Sequence, residues 1–132
     1  ERHCQNALTI AEFLNNSEKI AWVRYADLPG DPDHTLAQKY LPLGTCGVVS
    51  FGVKGDRENA IAFMDGLKLV STATHVADSR TCMLHPASHT HRQLSEKQLL
   101  EAGVAPDLIR LSVGIENVGD LLEDLEQALA KI

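Results

Sequence analysis

The chain has 132 residues, of which 44% are hydrophobic and 23% are charged, and its formal net charge is −6. This length fits a single domain, and the composition is typical of a folded globular protein. The acidic charge without a basic cluster argues against nucleic acid as a partner, and the lack of a long apolar run argues against a membrane span. The three cysteines have no CxxC spacing, which favours reduced thiols and a cytoplasmic location.

Helical and extended patterns alternate along the chain. The first helical pattern starts at Glu1 rather than at a methionine, and we expect it to be the end of a longer interdomain helix. Alternating residues and turn signals predict strands at 20–27, 47–55, 80–85 and 108–115. Apolar stripes and capping residues predict helices at 1–16, 31–41, 56–67, 95–103 and 118–132.

This order of elements predicts the fold class. Helices and strands alternate with short connections, and the chain contains no internal repeat or linker that would divide residues 1–132. We therefore expect one α/β (α+β) two-layer sandwich. It has a four-stranded, mostly antiparallel sheet with helices on one face.

Two of the predicted strands agree on which face of the sheet is buried. Alternate residues on one side are all apolar: Val49, Phe51, Val53, Ile109, Leu111 and Val113. The other side carries serine and glycine together with Arg110. Such a face buries too little apolar area for a core layer, so we expect it to lie against solvent, a ligand or another domain. Arg110 should point out of this face.

Arg110 has two interpretations. It is either a solvated or cross-strand-paired side chain on an open sheet, as most charged strand residues are, or it binds a ligand. A planar guanidinium can hold a carboxylate through two parallel hydrogen bonds, and small neighbours leave room for the ligand to approach. The pattern alone leaves both interpretations open.

A group of histidines raises the possibility of a metal site. The segment HPASHTH places His85, His89 and His91 close together, with Cys82 nearby. They lack the paired, regular spacing of zinc ligands, so no metal site is expected. Cys82 and His85 have no third group to orient a nucleophile, and no glycine-rich phosphate loop follows a strand. A stand-alone regulatory module that binds a small ligand or a metal remains the alternative.

Residues 85–129 resemble the C-terminal end of the pyridoxal-phosphate enzymes of cysteine and methionine metabolism. The resemblance rests on the segment HPASHTHRQLSEKQLLEAGVAPDLIRLSVGIENVGDLLEDLEQAL. Its part HRQLSEKQLLEAGV is most similar to the O-acetylhomoserine sulfhydrylase branch. The upstream stretches ERHCQNAL, KYLP and GVVSFGVKG also match, so the resemblance covers nearly the whole chain.

The resemblance implies the small C-terminal domain of a fold-type I transferase. Its intact enzyme replaces the acetate of O-acetyl-L-homoserine by sulfide or a thiol, giving homocysteine or methionine. Arg110 would bind the α-carboxylate of the amino-acid substrate. His75 stands where family members commonly have asparagine or serine, and it would also bind substrate; Ala77 stands where glycine is common.

The family's chemistry also depends on a large domain that is missing from this chain. That domain carries the cofactor-linked lysine, a phosphate-binding segment and an aromatic residue that stacks on the cofactor, and none of these motifs is found here. We therefore expect pyridoxal phosphate only in the intact enzyme, a homotetramer. The isolated chain should have no catalytic or cofactor-binding residue and no activity. Whether the ester is O-acetyl or O-succinyl, and whether the nucleophile is sulfide or methanethiol, stays open.

Overall fold

The computed structural model describes the backbone of residues 1–132 and every side chain except that of Glu96. Helices and strands follow one another in the predicted order, with one additional short strand. The helices are α1 (Arg2–Asn15), α2 (His34–Tyr40), α3 (Arg57–Asp65), α4 (Glu96–Glu101) and α5 (Val118–Leu129). The strands are β1 (Ile20–Arg24), β2 (Val48–Val53), β3 (Ser71–Thr72), β4 (Cys82–Leu84) and β5 (Leu108–Ser112).

The sheet has the strand order β1-β2-β5-β4-β3. All neighbouring strands are antiparallel except β3 and β4, which are parallel. The prediction of a mostly antiparallel sheet is confirmed, but the prediction of four strands was wrong because it missed β3. This strand has two residues and no alternation of its own. It forms because Ser71 N donates to Thr81 O and Ala73 N donates to Met83 O.

The predicted buried face is confirmed. Val49 lies opposite Leu111 and Phe51 lies opposite Ile109, and all four are fully buried. Helices α1, α3 and α5 pack on this face. Phe63 of α3 meets Phe51 edge to face with 6.0 Å between ring centroids, an arrangement that aromatic pairs prefer. The face that carries Arg110 is called the outer face below.

The outer face is covered at one end of β5. Leu108 lies opposite Gly52 on this face and packs against a small cluster of Ala87, Leu99 and Val104. Because Leu99 belongs to α4, the expectation of helices on one face applies to α1, α3 and α5 but not to α4. The rest of the outer face around Arg110 is crossed by a loop, residues 73–79.

Local hydrogen bonds decide where the elements begin. Asp56 accepts from Glu58 N and Asn59 N at the start of α3, and Ser95 with Gln98 forms a capping box on α4, both as predicted. α2 was predicted to start at Asp31 but begins at His34. The carboxylate of Asp31 accepts from two backbone N–H groups, those of Tyr25 and Asp33, and so closes a turn instead of capping the helix.

A buried carboxylate joins the last helix to the chain before β3. Asp124 of α5 accepts from Lys68 N at 2.8 Å and from Leu69 N and Val70 N at 2.9 Å each. Burial by itself would raise the pKa of Asp124. The three hydrogen bonds to the ionised carboxylate have the larger effect, so the net result is a lowered pKa. Asp124 therefore stays ionised and fixes the segment that leads into β3 and the loop after it. No helix in the described part of the chain is long and apolar enough to cross a membrane.

Candidate functional site

Two arginines lie in one row across the outer face, with one strand between them. Arg24 of β1 pairs with Ser50 of β2, and Ser50 in turn pairs with Arg110 of β5. Neighbouring strands are about 4.8 Å apart, so the two arginine backbones are roughly 10 Å apart with one small residue between them. Leu84 of β4 continues the row on the other side of Arg110.

The two arginines differ in how their charge is balanced. Arg24 forms ion pairs with Asp31 and Asp33, each with 2.9 Å between nitrogen and oxygen. The hydrogen bond to Asp31 is the main cause that raises the pKa of Arg24. Arg110 forms no ion pair with any carboxylate among the described side chains. The row therefore contains one neutralised cation and one cation that is available to an anionic ligand.

The hydrogen bonds of Arg110 are incomplete. Its Nη2 donates to the backbone oxygen of Thr74 at 2.9 Å, while its buried Nε has no hydrogen-bond partner among the residues whose side chains are described. A buried donor without an acceptor costs about 1–3 kcal/mol. Because Nε is closed to solvent, the Arg110 side chain has to turn before a carboxylate can accept from Nε and a neighbouring N–H together and so remove this cost.

The loop 73–79 is fastened to β5 at two points. Thr74 O accepts from Arg110, and Ala77 N donates to Ser112 Oγ at 3.1 Å. Ala77 has a φ of 59°, in the left-handed region that favours glycine, which agrees with the glycine that the family resemblance implies at this position. The loop therefore lies against the same strand that carries Arg110, although it is far from it in sequence.

His75 lies in this loop, next to Thr74. Its side chain is exposed, and its Nδ1 is 3.3 Å from Asp78 Oδ2. Hydrogen bonds from the backbone and guanidinium of Arg80, and then from His75, hold the pKa of Asp78 well below its usual range. The fold thus brings both predicted substrate-binding residues, Arg110 and His75, to one region of the outer face, and substrate binding by either stays a prediction.

Sequence reasoning missed two participants in this region. Thr74 acts through its backbone carbonyl, so its side chain gives no signal in the sequence. Asp78 could have been found, since a carboxylate two residues before Arg80 favours a local ion pair, and their atoms are 3.3 Å apart.

His85 and His89 of the segment HPASHTH form hydrogen bonds within the chain and do not converge on a common metal position. His85 is fully buried, with Nδ1 2.8 Å from Ser88 Oγ and Nε2 2.7 Å from Pro106 O. Burial lowers the pKa of His85 and favours the neutral ring. His89 Nδ1 is 3.1 Å from the backbone oxygen of His85. Both ring nitrogens of His85 are engaged, so it is not free to bind a metal.

Comparison with known proteins decides the family. The family profile described as Cys/Met metabolism PLP-dependent enzyme matches residues 1–130. The chain belongs to this family. The resemblance noted in the sequence is therefore confirmed, and pyridoxal phosphate is the cofactor of the Cys/Met metabolism family as a whole.

Relatives in the Cys/Met metabolism family agree on the branch. The chain is 47% identical to an O-acetyl-L-homoserine sulfhydrylase of Leptospira meyeri, in a match that covers 100% of the chain and 30% of the relative. It is also 47% identical to O-acetyl-L-homoserine sulfhydrylase 1 of Thermus thermophilus, covering 98% of the chain and 31% of the relative. The chain thus spans about a third of the length of these relatives, and it is most similar to the sulfhydrylase branch, as predicted.

A solved structure of the Cys/Met metabolism family supports the fold. It is a crystal structure of a protein assigned as an O-acetylhomoserine (thiol)-lyase of Campylobacter jejuni, and it contains N'-pyridoxyl-lysine-5'-monophosphate. The two chains are 42% identical and superpose with a TM-score of 0.89 over 98% of this chain and 31% of the other. The predicted fold class is confirmed at this level of identity.

The six lysines of this chain all lie outside the five strands. None of the five strands contains lysine, so the described strand residues place no amine beside Arg110. Lys19 Nζ instead donates to the backbone oxygens of Leu129 and Ile132, and Lys131 Nζ donates to Gly66 O. Both of these amines are therefore engaged by backbone oxygens of the chain itself.

Proposed function

We propose that this chain is the C-terminal domain of a pyridoxal-phosphate-dependent O-acetylhomoserine sulfhydrylase, and that it binds the α-carboxylate of the substrate through Arg110. The complete enzyme replaces acetate by sulfide or a thiol. The observation that carries the proposal is the state of Arg110, whose buried Nε has no hydrogen-bond partner and whose charge is not paired among the described side chains. The family and the identity to named sulfhydrylases support the reaction class.

The chemistry of Arg110 fits an amino-acid carboxylate. A guanidinium presents several N–H donors in one plane, so it can bind both oxygens of a carboxylate at once. Ser50, the neighbour of Arg110 across β2, is small and leaves space above the sheet. Leu84, the neighbour across β4, is apolar and lowers the local polarity, which strengthens a charge-assisted hydrogen bond.

Arg110 acts in this proposal by positioning the substrate. A guanidinium does not release its proton under physiological conditions, so it cannot act as a general acid or base. Binding the carboxylate fixes the orientation of the bonds at the substrate α-carbon, and such orientation contributes to the rate. Pyridoxal phosphate, when bound in the complete enzyme, supplies an electron sink for the carbanions of the reaction. His75 is proposed as a second, weaker donor near the same carboxylate.

The proposed partners follow from the length of the chain. It spans about 30% of the sulfhydrylases that it matches, so a large domain would cover the outer face and supply the cofactor, its lysine and the remaining catalytic residues. The complete enzyme is proposed to be a homotetramer. The isolated chain is then expected to have no sulfhydrylase activity. A lysine-linked absorbance band that appears when the isolated chain is mixed with pyridoxal phosphate, and that hydroxylamine removes, would contradict this expectation.

Kinetics of the full-length enzyme test the role of Arg110. In Arg110→Leu we expect kcat/KM for the amino-acid substrate to fall by about thirty- to a thousandfold, because a bidentate contact to a charged group contributes roughly 2–4 kcal/mol. The loss should appear mainly as a raised KM. The cofactor absorbance should be unchanged, since Arg110 does not contact the cofactor in this proposal.

Arg24→Leu is the matched control. Arg24 lies in the same row of the outer face and has the same side chain, but Asp31 and Asp33 already neutralise it. We expect its kcat/KM to change less than about threefold, because Arg24 is not proposed to bind the substrate and its exposed pair with Asp33 contributes little. Equal KM values in wild type and Arg110→Leu, or equal losses in the two variants, would refute carboxylate binding by Arg110.

A further inference from the structure

Three side chains with metal-binding atoms meet on the outer face. His75, Asp78 and Cys82 each place one donor atom within 4.8 Å of the other two. His75 and Asp78 belong to the loop 73–79, and Cys82 is the first residue of β4. These three residues are called the 75–78–82 cluster. They are close because the loop folds back over the strand that follows it.

The orientation of Cys82 brings its sulfur to the loop. Met83, the next residue, packs in the main core, so Cys82 points to the opposite side. Cys82 pairs with Ser112, whose Oγ holds the loop through Ala77 N. The thiol is buried and has only a weak contact of 3.6 Å with Arg80 O. The thiol therefore lies beneath the loop, and its contact with Arg80 O is the one polar contact found for it in the described part of the chain.

The donor set and the spacing suit a tetrahedral metal. An imidazole nitrogen, a carboxylate oxygen and a thiolate sulfur are all ligands that zinc accepts, at bond lengths of about 2.0–2.3 Å. In a tetrahedron with such bonds the ligand atoms are roughly 3.3–3.7 Å apart. His75 Nδ1 and Asp78 Oδ2 are already 3.3 Å apart. The sulfur, within 4.8 Å of both, needs a movement of about 1 Å, and the loop side chains can supply it.

In the 132-residue chain by itself the cluster is accessible from solvent, and the Arg80 guanidinium competes with a metal ion for Asp78. The side chain of His75 is 59% exposed and that of Asp78 is 24% exposed, so an ion can enter from the loop side. Arg80 Nη2 is 3.3 Å from Asp78 Oδ2, and a bound cation has to displace it. The Arg80 side chain is itself 64% exposed, so its guanidinium can turn into solvent.

We propose that His75, Asp78 and Cys82 form a binding site for zinc, with the fourth tetrahedral position open to water. The zinc site shares His75 with the proposed carboxylate site, so a bound ion would take away the weaker of the two proposed carboxylate donors and leave Arg110 in place. A bound ion would tie the loop 73–79 to β4. Thr74, whose carbonyl accepts from Arg110, lies next to one ligand, so occupancy would also fix the surroundings of Arg110.

Cobalt titration of the full chain under reducing conditions tests the site. One equivalent of Co²⁺ should give a thiolate-to-cobalt charge-transfer band in the near ultraviolet and tetrahedral d–d bands in the visible, and Zn²⁺ should remove both. Cys82→Ser should abolish the charge-transfer band. His75→Gln, an exposed change that does not endanger folding, should weaken Zn²⁺ binding by at least about tenfold. Circular dichroism checks that each variant is folded.

Two further variants make the test specific. Cys46→Ser changes an exposed cysteine outside the cluster and should leave the cobalt spectrum unchanged. Arg80→Gln frees Asp78 from its competitor and should tighten Zn²⁺ binding. The proposal is overturned if wild type shows no cobalt–thiolate band, or if the band survives in Cys82→Ser. Unchanged or weaker binding in Arg80→Gln would remove Asp78 from the ligand set and overturn the three-ligand site.

Discussion

Replacing Asp124 by asparagine tests whether one buried carboxylate holds the chain that leads to the candidate site. Asp124 is 5% exposed and accepts three backbone hydrogen bonds from residues 68–70. Asparagine has nearly the same shape but only one acceptor oxygen, and its amide would face N–H groups that also donate. At least one buried donor loses its partner, and the remaining bonds lose the assistance of the charge.

The expected loss of stability follows from these contacts. A hydrogen bond to a charged group contributes about 1.5–3 kcal/mol, and an unpaired buried donor costs about 1–3 kcal/mol. We expect Asp124→Asn to lower the free energy of unfolding by about 2–4 kcal/mol. Glu123→Gln, an exposed change at the adjacent position of α5, should stay within about 0.5 kcal/mol of wild type.

Urea denaturation at several pH values measures both the loss and its cause. The pKa of Asp124 is lower in the folded state than in the unfolded chain. Its charge therefore stabilises the fold above the unfolded pKa of about 3.9. This contribution is lost as the pH falls through the pKa of the folded state. The difference between wild type and Asp124→Asn should therefore be largest near neutral pH and should shrink below about pH 4. A difference below about 0.5 kcal/mol at neutral pH, or one that does not change in acid, would refute the reasoning.

Two further predictions concern the outer face and the buried histidine. A side chain at Gly52 would collide with Trp22 and Asp107, which share a 2.8 Å hydrogen bond across this position. Gly52→Ala should therefore lower the free energy of unfolding by about 1–3 kcal/mol and change the fluorescence of the single tryptophan. An unchanged emission spectrum would contradict this prediction. Burial lowers the pKa of His85, so the unfolded chain binds a proton first and stability should fall as the pH drops below about 6.5. His85→Gln should reduce this pH dependence between about pH 7.5 and 5.5, and equal slopes in denaturation experiments would count against it.

Much of the fold could be predicted because its signals are local. The alternation in β2 and β5 identified the buried face, and Val49, Phe51, Ile109 and Leu111 are all fully buried as expected. The caps of α3 and α4 could also be predicted. Asp56, and Ser95 with Gln98, form hydrogen bonds only to residues at most three positions away in the sequence. Local patterns of this kind depend on the period of the element and on short-range hydrogen bonds.

The parts that failed depend on distant residues. β3 is too short to show a period and is fixed by pairing with β4 and by the carboxylate of Asp124, more than fifty residues away. The start of α2 was misplaced because Asp31 bonds to Arg24 at the end of β1 and to Tyr25 just after it, instead of capping the helix. In both cases a tertiary contact overrides the local propensity.

The candidate site shows the same division. The alternation of side chains along β5 was enough to place Arg110 on the face opposite the core, because the side chains of a strand point to two faces in turn. The folded chain was needed to show that Arg24, in the same row, is neutralised while Arg110 has no ion pair among the described side chains. Only folding also placed Thr74 at Arg110 and brought His75 and Asp78 to Cys82. Charge balance and ligand spacing depend on distances between separate segments, and a one-dimensional pattern does not contain them.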